Sequence, residues 1–325
     1  MFSHNNKGDN MKFRLGYVNG PFSLPFTYCH TLTYTNFKKM KKEEAYKKLE
    51  NIIKENLNNL EKVLKFNKNN NISFYRISPT IIPLATLDDV TFDYITPFKK
   101  KWKKIGEYIT KNNMRIDIHL NQYCILNSIN KEVINNCIKE LEYNYSIFKL
   151  MGINGMIILH IGSSTNGKEE SINRFKENFN KLKPEIKKII TLENDDKIYN
   201  IIDTLTLCEE LNIPMTLDYH HYLCNNNKEK LKDYLPRIIK TWKNNQFNPK
   251  MHFSSPKNKK EKRSHSDFIE YKQFINFINK IKDFNQDIDI MLECKAKEEA
   301  LFRLSRQLKY TKNIKHINKS TFKTK

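Results

Sequence analysis

The sequence predicts a single α/β domain folded as a (β/α)8, or TIM, barrel, and three observations carry that prediction. Short apolar runs alternate along the chain with longer stretches of helical period. Eight such runs can be counted. The 325 residues match the length that eight strand–helix units require. An open doubly wound sheet is the competing architecture, but no GxGxxG follows the first run.

In chain order the runs are KFRLGYV (12–18), ISFYRIS (72–78), MRIDIHL (114–120) and GMIILHIG (155–162), then IITLEND (189–195), IPMTLDY (213–219), PKMHFSS (249–255) and DIMLECK (289–295). Each is rich in Ile, Leu, Val or Thr, as parallel strands buried on both faces should be. EEAYKKLENIIKENLNNLEKVLKF (43–66) and KEVINNCIKELEYNYSIFKLMG (131–152) have helical period, and Gly152 stands where the second needs a C-cap. Residues 1–11 read as a flexible extension, 12–310 as the barrel domain and 311–325 as a basic C-terminal tail.

Hydrophobic residues make up 39% of the chain, which excludes wholesale disorder. Lys and Arg number 57 against 36 Asp and Glu, a formal charge of +21. That sign favours a polyanion, with nucleic acid first. A Lys/Asn/Ile-rich composition explains most of the excess, so charge alone is weak. Cys29, Cys124, Cys137, Cys208, Cys224 and Cys294 form no CxxC pair, and the N-terminus lacks an apolar signal region. Reduced thiols and an intracellular location are expected, in the cytoplasm or, in a eukaryote, the nucleus. No apolar run reaches membrane-spanning length.

The polar residues that interrupt the runs share one position, the C-terminal end of a strand. They are His119, His160, Glu193 and Asp218 with His221 three residues on, then His252, His265 beyond its loop, and Glu293. Strand C-termini build the active site of this fold. One such histidine could be a satisfied core residue; eight groups on one rim suit a metal cluster. Five imidazoles and three carboxylates exceed the needs of one ion, so two or three divalent ions are expected. Mixed N/O donors without thiolate fit Mn²⁺, with Zn²⁺, Co²⁺ and Mg²⁺ as alternatives. Lys250 lies two residues before His252 and so faces the barrel mouth. It either contacts a phosphate or is carboxylated and bridges metals; the competing reading is a snorkelling surface lysine. The basic run PKNKKEKR (256–263), with Lys257, Lys259 and Lys260, lies on the catalytic face, where a phosphate backbone would pass.

LENDD (192–196), DYHH (218–221), KMHFSSPK (250–257), RSHSD (263–267) and MLECKAKEEA (291–300) resemble the UV damage endonucleases. So do NLNNLEKVLKFNKNNNISFYRIS (56–78), HLNQY (119–123) and ILHIGSSTNGK (158–168). The resemblance runs from about residue 12 to 303. It implies a barrel related to endonuclease IV and the xylose-isomerase-like enzymes, with a multinuclear site on the eight residues already singled out. It further implies catalytic roles for Glu193, Lys250 and His252 and a lesion-probing pair at Gln122 and Tyr123. Tyr17 and Asn19 match positions lining a lesion pocket. Leu120, Asn121 and Pro79 depart from the family pattern and affect loop geometry.

The implied activity is metal-dependent nicking of damaged double-stranded DNA 5′ to UV photoproducts, pyrimidine dimers and 6-4 photoproducts among them, by a monomer. The alternatives are an abasic-site endonuclease of the endonuclease IV type, a sugar isomerase on the same barrel, and a lesion-binding protein without catalysis.

Overall fold

The structure, a computed structural model, describes residues 10–325. The chain begins β1 (Lys12–Val18), α1 (Tyr34–Lys38), α2 (Lys42–Asn69), β2 (Phe74–Ile77), α3 (Lys99–Lys111), β3 (Arg115–His119), α4 (Lys131–Met151) and β4 (Gly155–His160). It continues α5 (Lys168–Asn180), α6 (Pro184–Lys187), β5 (Ile190–Glu193), α7 (Ile201–Leu211), β6 (Met215–Asp218), α8 (Tyr219–Cys224) and α9 (Leu231–Lys240). The last elements are β7 (Lys250–Phe253), α10 (Tyr271–Ile281), β8 (Ile288–Leu292), α11 (Lys297–Lys309), β9 (Ile314–Asn318) and β10 (Thr321–Thr324).

All eight apolar runs become strands, β1 to β8 in chain order, each parallel to the next, and β1 pairs with both β8 and β2 to close the barrel. The helices between them turn apolar stripes inward: Leu49, Ile53, Leu57, Leu60 and Leu64 of α2 recur at three- and four-residue spacing and are buried. Gly152 ends α4 in the left-handed conformation, φ 65°, which costs glycine nothing. Three asparagines on the buried side of α2 carry loop contacts. Asn56 donates to the carbonyls of His30 and Ile81, Asn59 donates to that of Thr27, and Asn67 accepts from the Tyr17 hydroxyl. The β1–α1 loop at the barrel mouth is thereby anchored from behind.

Closure between β1 and β2 is short, resting on the pairs Tyr17–Tyr75 and Val18–Arg76. Gly16 permits it: a Cβ there would come within 2.5 Å of the Phe74 carbonyl oxygen. Nearer its start β1 pairs instead with β10, Lys12 opposite Lys323 and Arg14 opposite Thr321. Residues 311–325, set apart in the sequence as a basic tail, therefore carry an antiparallel hairpin that fills the seam. Phe322 is fully buried and stacks on Phe13 at 5.4 Å. The alternation of lysine with Ile, Phe and Thr in this segment is that of an edge hairpin, and its charge masked it. Of the extension expected at 1–11, residues 1–9 lie outside the described residues; Met11 is buried and its carbonyl accepts from Thr324. Among the described residues no helix is long and apolar enough to cross a membrane.

Polar residues line much of the barrel interior from floor to mouth. Arg14, Arg115, Asp117, Lys250 and Asp289 point inward at the bottom, one or two pleats below the residues that end the strands. Arg14 makes a paired contact with Asp289 at 2.6 and 2.7 Å, Arg115 reaches Asp289 at 2.8 Å and Asp117 at 3.1 Å, and Lys250 stands 3.1 Å from Asp117.

If the hairpin is a structural part of the barrel, Phe322→Ala should cost about 3–5 kcal/mol, as core phenylalanine truncations do. Urea denaturation of the full chain measures this; a loss below about 1 kcal/mol would return the segment to the status of a tail.

Candidate active site

Strand pleating decides which residues meet at the mouth. Because alternate residues share a face, His119 stands above Asp117, His252 above Lys250, Glu193 above Thr191 and Asp218 above Thr216. The register sets His160 beside Glu193 and Asp218 beside His252. Asp218 then caps α8: its Oδ1 accepts from the His221 N–H at 2.7 Å, which fixes the first turn and aims His221 at the cluster. Asn194 clamps β5 to β6 by exchanging two amide hydrogen bonds with the backbone of Asp218.

Glu193 is the hub. Its Oε2 lies 2.7 Å from His119 Nε2 and 3.8 Å from His160 Nε2, and its Oε1 lies 2.8 Å from His252 Nδ1 and 3.5 Å from His221 Nδ1. Donor atoms converge in three overlapping triads: His119, Glu193 and His252; Glu193, Asp218 and His221; and Asp218, His252 and Glu293. Six of the eight predicted ligands thus share one cluster. His160 borders it through Glu193. His265 stands further out, its ring 6.4 Å from that of His221 and 5.3 Å from that of His220.

The electrostatics follow from burial and mutual repulsion. Burial raises the Glu193 pKa, but His252, His160 and His119 outweigh it and hold the carboxylate well below its ordinary value. Asp218 is pushed up to about 8 by burial and by the charges of Glu193 and Glu293. Burial lowers His221, yet Asp218, Glu193 and Glu293 carry it to about 9. His252 falls to about 4 through burial. Crowded carboxylates therefore share protons with imidazoles, a balance that divalent cations relieve by replacing protons. The donor set fits such ions. Asp218 Oδ2 and His160 Nδ1 are buried without hydrogen-bond partners, as donors waiting for a cation would be.

Lys250 lies deeper than a phosphate contact requires. It is fully buried, beneath the cluster, and pairs with Asp117, so it reaches no phosphate. Burial, with Arg76 and Arg115 nearby, lowers its pKa to about 7 against the pull of Asp117. The snorkelling reading fails for the same reason. Tyr17 is also fully buried, its hydroxyl committed to Asn67; it supports the rim and does not line a pocket.

The remaining predicted residues surround the mouth. A cavity of about 730 Å³ is lined by Asn19, Arg76, His119, Gln122, His265 and Glu293 among others. A second, of about 500 Å³, is lined by Gln122, Tyr123, His160, Asp195, His221 and Arg263. Gln122 borders both, so the Gln122–Tyr123 turn forms a ridge between them. Tyr123 is 76% exposed. The departures from the family pattern have local explanations: Leu120 packs into the core, and Asn121 Oδ1 accepts from the Tyr123 N–H at 2.8 Å, shaping the ridge. Behind the ridge α4 packs against this loop and brings the sulfurs of Cys124 and Cys137 face to face. Lys257, Lys259 and Lys260 are exposed on the β7–α10 loop, with Lys257 paired to Glu261 at 2.7 Å.

Sequence reasoning missed Arg76, which contacts both Glu293 and His252. The signal was present, since Arg76 is a charged residue interrupting the second run near its C-terminal end.

A sequence model of one family, described as UV-endonuclease UvdE, matches residues 13–325. A "UV DNA damage endonuclease" of Bacillus cereus (strain B4264) is 40% identical over 311 residues, 95% of this chain and 98% of that protein. The crystal structure of SacUVDE superposes with a TM-score of 0.83 at 35% identity, over 91% of this chain and 98% of that one. Endonuclease IV from Thermus thermophilus shares the fold, with a TM-score of 0.54 at 11% identity over 78% and 95% of the two chains.

Because Glu193 lies within 4 Å of four imidazoles, Glu193→Gln should lower the uptake of divalent metal by at least one equivalent per chain while the fold melts within a few degrees of wild type. Metal analysis after gel filtration, with circular dichroism on the same sample, checks this; unchanged stoichiometry would remove Glu193 from the ligand set.

Proposed function

We propose, from the premise that this chain belongs to the UV-endonuclease UvdE family and is a DNA-cleaving repair endonuclease for UV damage, that it hydrolyses the phosphodiester 5′ to pyrimidine dimers and 6-4 photoproducts, leaving a 3′-hydroxyl. The observation that carries this reading is the juxtaposition of the donor cluster around Glu193 with the exposed Gln122–Tyr123 ridge.

His119, His160, Glu193, Asp218, His221, His252, His265 and Glu293 are the residues that would hold two or three divalent ions, Mn²⁺ by preference. Such ions, when bound, neutralise charge on the phosphate oxygens and lower the pKa of water. The chain's own residues do the rest. Tyr123, largely solvent-exposed, is free to enter an opened base stack, with Gln122 beside it. Unstacking is easiest at a damaged step, so insertion itself discriminates. Asn19 lines the same cavity as Gln122. Lys259 and Lys260 add sequence-independent attraction for the backbone. A free amine at Lys250, favoured by a pKa near 7, would be available for carboxylation, and its anionic product would be offset by Arg76 and Arg115. The abasic-site and sugar readings rest on likeness of fold alone.

Nicking of irradiated, abasic and intact duplexes tests the proposal. Cleavage should favour irradiated DNA, disappear on chelation and return with Mn²⁺; equal rates on all three substrates would overturn it. Stacking by one aromatic ring is worth roughly 1–3 kcal/mol, so Tyr123→Ala should weaken lesion binding by about one to two decades. Affinity for intact duplex should hardly move. An unaltered ratio of damaged to intact affinity would show that the lesion is read elsewhere.

A further inference from the structure

Arg76 sits inside the donor cluster and is itself no ligand. It ends β2 beside the mouth with 13% of its side chain exposed, and it lines the 730 Å³ cavity with Asn19, Gln122 and His265. Its Nη2 lies 2.9 Å from His252 Nε2 and 2.7 Å from Glu293 Oε1. The second contact is a charge contact only, since Glu293 Oε1 remains without an aligned hydrogen bond, and Arg76 Nε is buried with no partner. The guanidinium is thus held by one hydrogen bond and one charge contact, with its fork of donors incompletely used.

The chemistry of His252 makes this placement incompatible with a loaded site. A guanidinium stays protonated and only donates. Its N–H at His252 Nε2 therefore requires the lone pair there, and the ring proton lies on Nδ1, which donates to Glu193 Oε1 at 2.8 Å. If Nε2 is to ligate a cation, Arg76 occupies the position. If Nδ1 is to ligate, its proton must go; a neutral ring then carries N–H at Nε2, donor facing donor. In both cases Arg76 must leave His252. Glu293, 2.7 Å from Arg76 Nη2, would likewise gain another cation.

We propose that Arg76 is a placeholder cation for Glu293 and His252 that turns, when these two accept divalent ions, to bind the scissile phosphodiester through two of its N–H groups. The inference rests on the metal-dependent reading above. Three features support the second half: Nε already lacks a partner, the side chain borders the open cavity, and a planar fork matches two phosphate oxygens. No other arginine lines that cavity among the described residues.

The test compares the wild-type full chain with Arg76→Gln and Arg76→Lys. Mn²⁺ affinity of each protein alone is measured by competition with a fluorescent chelator. Single-turnover nicking of irradiated duplex is then measured at saturating Mn²⁺. Arg76→Gln should bind Mn²⁺ as tightly as wild type or more tightly, because a competing cation is gone. Nicking by the same variant should slow by roughly 100-fold or more, the scale seen when one oxyanion donor is removed. Arg76→Lys should recover part of the rate, since it restores charge without the fork. A fall in Mn²⁺ affinity with Arg76→Gln would make Arg76 a support for the ligands and overturn the proposal. An unchanged nicking rate in a variant that binds Mn²⁺ normally would overturn it too. A wild-type chain that takes up no Mn²⁺ would sink the metal-dependent reading along with this one.

Discussion

The site depends on the buried ion network at the barrel floor. Asp117 and Asp289 are fully buried and would be costly alone; Arg14, Arg115 and Lys250 surround them. Two carboxylates balance two guanidiniums, which leaves the Lys250 ammonium as the surplus charge. Burial and the neighbouring arginines act on that surplus and carry its pKa to about 7. Arg115 further stacks over Phe74, Trp242 and Phe247, so the floor is fixed by planar contacts as well as by charge. Above a rigid floor, strand pleating delivers His119 and His252 to the mouth with little freedom.

At the mouth the constraint reverses. At the floor each charge faces an opposite one, although Arg115 Nη2 and Lys250 Nζ make no aligned hydrogen bond, and the rim leaves Asp218 Oδ2, His160 Nδ1 and Arg76 Nε without partners. Unpartnered buried polar groups destabilise a fold unless a ligand completes them. The crowding of carboxylates at the rim sets it apart from the charge-paired floor. It also explains why Asp218 and His221, which share one backbone cap, are both displaced upward, to about 8 and about 9.

The ridge and the loops around it answer to a different requirement. Residues that meet a duplex must stay exposed yet hold their direction, and side-chain-to-backbone bonds supply that. Asn121 shapes the turn that presents Tyr123, and Asn56 and Asn59 of α2 anchor the loop that follows Asn19. Short polar side chains capture backbone groups where no regular ladder exists. The asparagine-rich composition thus serves the loops as well as the helix surfaces.

The eight strands, their order and the rim of His, Asp and Glu residues were legible in the sequence, because both depend on local periodicity and on the rule that parallel barrel strands end at the active face. His119, Glu193, Asp218, His221, His252 and Glu293 were found by that logic. What could not be read were contacts between distant segments. The C-terminal hairpin needs β1 as its partner, 307 positions away in the pairing of Arg14 with Thr321, and a lysine-rich pattern by itself does not reveal an edge to fill. Lys250 was placed on the correct face, but its depth below the rim depends on strand stagger, so only the tertiary structure pairs it with Asp117. Tyr17 was assigned to a lesion pocket by resemblance, but position along a strand says nothing of which helix covers it, and α2 does. Periodicity determines the face a side chain takes, while its depth and its partners are set by how the strands are staggered when the barrel closes.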